Sequence, residues 1–232
     1  MNTIRKFRGE AAMQLIIGNQ NYSSWSMRPW VAMTHFGIDF ETIKLRLFTP
    51  EFYQQLSAYT SANTVPVLID KKLGSIADSL AILETLAEQY PQMWPQDPVL
   101  RAQARSVCAR MHSGFFAMRG EMHMNCRAQQ RQLQITDACA KDIAAVQALW
   151  QECMELTAKL GGSSQGYLFG DFSIADAFFA PVVIRFQGYA VPTTPLTKQY
   201  MQLMLATPAV AAWVAAGQAE EEIVAQEEAG IE

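Results

Sequence analysis

Histidine and cysteine are scarce and scattered in this chain. Its 232 residues hold three histidines, at 35, 112 and 123, and four cysteines, at 108, 126, 139 and 153. The cysteine spacings of 18, 13 and 14 residues exclude a local Cys-x-x-Cys redox or zinc pair. No His-x-x-x-His or His-Cys cluster occurs, so no metal site is expected. Unpaired in this way, the cysteines read as buried free thiols of a reducing compartment, and a cytoplasmic location is expected. No apolar run reaches about 18 residues, the length of a membrane span. Positive charge is not in excess either: the net charge is −4, which excludes the basic footprint of a nucleic-acid-binding domain. A local basic cluster can still hold a small anion. Glycine (13) and proline (10) together make up about 10% of the chain, below the level of low-complexity sequence. Residues 1–12 carry Arg5, Lys6 and Arg8 but no apolar segment follows, so they are not a secretory signal. A loose extension from an upstream start is expected there.

Half of the residues are hydrophobic and 17% are charged, enough apolar material for a sizeable core. At about 150 residues per domain, the length suits one large or two small domains. The texture changes near residue 95. Before it, short apolar runs alternate with helical patterns. Met13–Gly18 reads as a buried strand and Met27–Phe36 as a helix. In residues 41–47, Ile43, Leu45 and Leu47 share one strand face, with Thr42, Lys44 and Arg46 opposite. A short helix is expected over Pro50–Tyr59 and strands over Val65–Ile69 and Lys72–Ile76, the two joined as a hairpin through Asp70 and Lys71. Ser79–Tyr90 has Leu80, Leu83, Leu86 and Ala87 on one helical face. The order β-α-β-α-β-β-α over residues 13–91 predicts a small mixed sheet with helices on both faces. The Pro91-to-Pro95 stretch reads as a linker, and residues 92–96 are taken to divide the two halves. The remainder, 97–220, reads as helical throughout, with helices near 98–128, 138–160, 174–187, 197–205 and 208–217. The acidic tail, 221–232, is expected to fray.

Four constellations carry chemistry or capping. The first runs from Asn21 to Arg28, where Ser23 and Ser24 precede a helix. Unpaired N–H groups and the positive end of a helix dipole favour an anion there, including a thiolate, and a serine is also a good N-cap. The second is Val65-Pro66, ahead of a core strand. Proline cannot donate to the ladder, which fits either an edge strand or a cis bond whose neighbour Val65 pairs with an extended ligand. The third is Asp78-Ser79 at a helix start, where the serine can bind a carboxylate and the aspartate an ammonium group, or where both simply cap the helix. The fourth, Ser173-x-x-Asp176, is a capping box that folds the protein and need not touch substrate.

In this order, the four elements resemble a cytosolic glutathione transferase, over nearly the whole chain from Met13. The resemblance implies an α/β plus all-α architecture: a thioredoxin-like N-terminal domain and a helical-bundle C-terminal domain. Val65-Pro66-Val67-Leu68 resembles the family's cis-proline segment, and Asp78-Ser79 the acidic-Ser pair that holds the glutamyl end of glutathione. Residues 170–181 (GDFSIADAFFAP) resemble the capped central helix, and 206–214 (ATPAVAAWV) a C-terminal helix. Ser23-Ser24-Trp25-Ser26-Met27-Arg28 is nearest to the serine-type bacterial and zeta-like members, with Arg28 matching the arginine of their motif. By that likeness Ser23 activates the glutathione thiol, with Ser24 second. Trp25 stands where the zeta pattern has cysteine, a departure that counts against maleylacetoacetate isomerisation. No cysteine lies in 21–30, which disfavours omega-type chemistry, and Tyr22 precedes the serine position, leaving tyrosine catalysis a fallback.

The implied activity is attack by the glutathione thiolate on a hydrophobic or electrophilic small molecule, in a homodimer, with glutathione as co-substrate. A thiol of pKa about 8.5 is only a few per cent ionised at neutral pH, and lowering it by about two units is worth roughly 2.7 kcal/mol. The electrophile's pocket is expected on the first long helix of the second half, at Met111, His112, Phe115, Phe116, Arg119 and Met122. The same residues also suit a helix–helix or dimer core. Two other readings stay open: an isomerase of the maleylacetoacetate type, and a non-catalytic glutathione-binding protein of the same fold.

Overall fold

The computed structural model describes residues 12–230. All but the last residue of the expected N-terminal extension lies outside the described residues. Four strands form one sheet: β1 (Met13–Ile17), β2 (Glu41–Lys44), β3 (Val67–Asp70) and β4 (Gly74–Ala77). Their order is β2-β1-β3-β4, with β2 parallel to β1, β3 antiparallel to β1 and β4 antiparallel to β3. Three helices interleave with them: α1 (Ser24–His35), α2 (Pro50–Leu56) and α3 (Ser79–Gln89).

The two-residue period of a strand sorts the apolar side chains to opposite faces. Leu15, Ile17 and Leu68 enter the main core with Met27 and Val31 of α1 and Ile82, Leu83 and Leu86 of α3. Ile16, Val67 and Ile69 point the other way and pack with Leu45 and with Phe52 and Leu56 of α2. Ile43 and Leu47 join that second cluster, which explains the alternation in 41–47. Only Glu41–Lys44 is strand, because after the Leu45 N–H bonds to Ile17 the chain turns, with Phe48 at φ 59°. β3 begins at Val67, past the Val65–Pro66 peptide, which is cis. The hairpin loop is longer than expected: Asp70 Oδ1 accepts from the N–H groups of Lys72 and Leu73, and Gly74 at φ 82° opens β4.

A 3-10 turn at Pro91–Met93 leads into six helices: α4 (Pro98–Ser113), α5 (Phe116–Glu121), α6 (Asp137–Lys159), α7 (Ile174–Gly188), α8 (Pro195–Ala206) and α9 (Pro208–Gln218). α7 is apolar nearly all round and buried along almost its whole length. Its start is fixed by the Ser173–Asp176 capping box, and Asp176, fully buried, also accepts from Leu168 N–H (3.0 Å) and Tyr200 Oη (3.1 Å). α1 packs against α7 and α9, so the helical half buttresses the helix that follows the first loop. The four cysteines are buried free thiols.

Two expectations are corrected. The single helix over 98–128 is broken between α4 and α5. Gly114 is extended there and Phe115 is left-handed at φ 55°, and a Cβ on Gly114 would stand 2.7 Å from the Arg110 carbonyl oxygen. The acidic tail does not fray over its described part. Glu220 accepts from the N–H groups of Gln20 (2.9 Å) and Asn21 (3.1 Å) and from Lys44 Nζ (2.9 Å). A 3-10 turn at Ala225–Glu227 follows, and Glu228 pairs with Arg131 at 2.6 Å and accepts from Asn125 Nδ2 at 3.0 Å. Glu222 also faces Arg46 at 3.6 Å and Glu227 faces His123 at 3.3 Å, whereas Glu221 stays exposed.

Candidate functional site: a cation-lined cavity beside the first helix

The loop from Gly18 to Ser23 leaves β1 and is held on all sides. The Asn19 carbonyl accepts from Ser23 N–H at 2.8 Å, and its side-chain oxygen accepts from Leu47 N–H at 2.9 Å. The Asn21 carbonyl accepts from Cys126 N–H (3.2 Å) and its Oδ1 from Arg127 N–H (3.1 Å). α9 approaches so closely at Gly217 that an added Cβ would lie 3.1 Å from the Asn21 backbone nitrogen. Beside this loop opens a cavity of about 480 Å³, within the range of small-molecule sites.

Ser23 and Ser24 both line the cavity. Ser23 Oγ donates to Ser26 Oγ at 2.8 Å, and Ser26 Oγ also accepts from Gly18 N–H at 3.1 Å. Ser24 Oγ accepts from Arg185 Nη2 at 3.4 Å, and among the described residues nothing accepts its proton. Tyr22 is differently employed. Its hydroxyl accepts from Arg127 Nη2 at 2.6 Å and bonds to Glu228, and burial with that carboxylate raises its pKa. The phenol therefore belongs to the anchoring of the tail.

Two arginines flank the indole of Trp25, and a third lies beside Ser24. The Arg28 guanidinium lies 4.1 Å from its centroid and that of Arg119 4.6 Å; Arg185 comes in from α7 beside Ser24. Among the described residues no carboxylate lies within salt-bridge distance of any of the three. Burial and the charges of Arg119 and Arg185 push the Arg28 pKa down to about 9, and burial and Arg119 push Arg185 down to about 10. Both stay protonated at neutral pH. Arg28 is buried, stacked also on Phe178 at 4.6 Å, with Nε and Nη1 unpartnered. A fixed positive field with unused donors suits an anion.

Further along α1, Asp78 and Ser79 open α3. Asp78 has φ 85°, a backbone region unfavourable for a non-glycine residue, and such outliers cluster at functional sites. Its Oδ1 caps α3 through Leu80 and Ala81 N–H, and its Oδ2 lies 3.2 Å from His112 Nε2. Ser79 Oγ is buried with no hydrogen-bond partner among the described residues. Val65, next to the cis bond, lines the cavity, whereas Asp78 and Ser79 stand outside its lining.

The expected acceptor-pocket residues divide. Phe116 and Arg119 line the cavity, and Phe116 is 71% exposed. Met111 and Met122 do not; both are fully buried in the core, Met111 on the face of α4 it shares with Leu100, Ala104, Val107 and Cys108 and Met122 at the end of α5. His112 lies against Asp78 and edge-on to Trp25, and Phe115 packs on the core at the head of α5. The sequence reading missed Arg185, His123 and Glu227, all in the cavity wall. Arg185 had a signal, a lone cation within a largely apolar helix; Glu227 had none, since its place depends on how the tail returns.

The comparisons with known proteins bear on the same two regions. Residues 22–89 match the N-terminal domain of glutathione S-transferases and residues 127–216 their C-terminal domain. The chain belongs to the glutathione S-transferase family. Maleylacetoacetate isomerase of Rattus norvegicus is 28% identical over 179 residues, 75% of this chain and 78% of the rat protein. A glutathione transferase homologue from Burkholderia, solved with bound glutathione, superposes with a TM-score of 0.61 at 23% identity, covering 90% of this chain and 99% of that one. The nitrogen regulation fragment of the yeast prion protein Ure2p gives a TM-score of 0.67 at 19% identity, over 90% and 99% of the two chains. These two structures share the transferase fold: a thioredoxin-like domain followed by a helical one.

Proposed function

We propose that this protein is a glutathione transferase in which the Ser23–Ser24 pair stabilises the glutathione thiolate for attack on an electrophile in the adjoining cavity. The observation that carries the reading is the convergence of both hydroxyls with Arg185 and Arg119 on one cavity wall. A hydrogen bond from a hydroxyl to a thiolate is charge-assisted, and the arginine field and the α1 N-terminus favour the same charge. Ser24 is the donor with a free proton, made more acidic by the Arg185 contact; Ser23 is committed to Ser26 and serves when it rotates. Asp78 and Ser79 hold the glutamyl end of glutathione, with the unpartnered Ser79 Oγ meeting its carboxylate, and Val65 pairs with the peptide backbone.

In the reaction with an aryl halide, the sulfur forms a bond to the ring carbon and chloride leaves. The thiol proton passes to solvent. The expected assembly is a homodimer, with light scattering giving twice the chain mass at micromolar concentration. A second reading, glutathione-dependent isomerisation of the maleylacetoacetate type, is favoured by the rat relative together with the arginine-lined cavity.

Single Ser23→Ala and Ser24→Ala variants test the mechanism. Glutathione affinity by calorimetry should change little, because Asp78, Ser79 and Val65 remain. Turnover of chlorodinitrobenzene should fall about 10- to 100-fold in the variant that removes the sulfur's donor, with the rising limb of kcat/KM moved to higher pH. We expect the larger loss at Ser24. Full turnover and an unmoved pH profile in both variants would leave the hydroxyls no part in the chemistry.

A further inference from the structure

The carboxy-terminal strap supplies one carboxylate to the cavity. Among the described residues lining it, Arg119, Arg185 and His123 are the basic side chains and Glu227 alone is acidic. Glu227 reaches the wall from the 3-10 turn Ala225–Glu227, and its Oε2 lies 3.3 Å from His123 Nδ1. Its place is built by its neighbours. Glu220 anchors the strap before it, on Gln20, Asn21 and Lys44, and Glu228 anchors it after, on Tyr22, Asn125 and Arg131. His123 is itself fixed through Nε2 on the Gly120 carbonyl, 2.8 Å away. The Glu227 side chain is 22% exposed, so it faces the cavity rather than open solvent.

We propose that Glu227 sets the charge selectivity of this cavity. It pairs with His123 and repels an incoming anion, so that Arg119 and Arg185 draw in a carboxylate-bearing electrophile less strongly than they would without it. The inference rests on the transferase reading for its substrate. The physical basis is the Coulomb energy of a single charge in a partly screened wall, on the order of a tenfold change in selectivity. A carboxylate elsewhere on the strap, outside the cavity, shifts the net charge equally but not the local field.

The test compares kcat/KM for neutral chlorodinitrobenzene and for a chloronitrobenzoate, with glutathione, in the full chain. In Glu227→Gln the ratio of benzoate to neutral substrate should rise about tenfold. Glu227→Ala should move it the same way, and Glu221→Gln, on an exposed strap position, should leave it unmoved. An unchanged ratio in both Glu227 variants, or an equal rise in Glu221→Gln, overturns the proposal. Should the wild type turn over neither electrophile, the transferase reading fails on its own account. Equilibrium binding of the benzoate to the glutathione-loaded protein, followed by tryptophan fluorescence, then decides the selectivity. Tighter binding in Glu227→Gln than in wild type upholds it, and equal binding refutes it.

Discussion

Replacing Glu220 by alanine should unfasten the loop that carries the two serines. The carboxylate is 3% exposed and takes two backbone N–H groups, from Gln20 and Asn21, besides the Lys44 ammonium. Hydrogen bonds to a charged group contribute about 1.5–3 kcal/mol each. Asn21 is fully buried, so its N–H loses its partner without gaining water, whereas the half-buried Gln20 N–H regains some hydration. The Lys44 end is 39% exposed, so that ion pair adds at most about 1 kcal/mol. Together these give an expected loss of about 2–4 kcal/mol, or roughly 4–15 °C in Tm for a chain of this size. Urea denaturation should show a lower midpoint with the slope unchanged. Glu220→Gln, which keeps one acceptor oxygen, should lose about half as much, and Lys44→Ala less than about 1 kcal/mol. Turnover should fall along with stability in Glu220→Ala, because Asn21 lies two residues before Ser23. A loss below about 0.5 kcal/mol would mean that the strap merely rests on the loop, and the reasoning would fail.

The buried Asp176 takes four donors, from Leu168 N, Ser173 N, Ser173 Oγ and Tyr200 Oη, so Asp176→Ala should cost at least about 3 kcal/mol in urea denaturation, and a loss under about 1 kcal/mol would refute its anchoring role. The pairing of His123 with Glu227 raises the His123 pKa above 6.5, first through the hydrogen bond. A raised base contributes stability that is fully present below the unfolded value and lost as pH rises through the folded one. Amide exchange over residues 221–230 should therefore quicken as pH rises above that range, beyond the intrinsic pH dependence of exchange, and Glu227→Gln should abolish the extra increase.

Much of the architecture was legible because it rests on local periodicity. Ile43, Leu45 and Leu47 declared one sheet face, and Ser173 with Asp176 declared the start of the central helix. The places that misled share a cause: each is decided by contacts far along the chain. Nothing in Glu220–Glu228 foretells that its carboxylates meet Lys44, Tyr22 and Arg131, since an acidic run reads as solvated until its partners are placed. Met111 reads as pocket material at helical spacing, and only the packing of α4 against α7 commits its face to the core. Of the candidates read from residue type and position, Ser23, Ser24 and Val65 line the cavity and Asp78 and Ser79 do not. The site was illegible at Arg185, 161 residues from the serine it touches.

The closeness of Gly217 to Asn21 has a consequence for how the protein comes into being. The loop before α1 is completed by residues about 200 positions later, through Glu220 on Gln20 and Asn21 and through the strap on Tyr22. During synthesis the sheet emerges first and can pair its strands, but the loop's buried N–H groups have no acceptor until the last helix has left the ribosome. Closing so long a loop is slow, though the added entropy grows only with the logarithm of its length. The corner that carries Ser23 and Ser24 is therefore the last part of the molecule to take shape, and a chain cut short before residue 217 would carry both serines on a loop whose Gln20 and Asn21 N–H groups lack their acceptor.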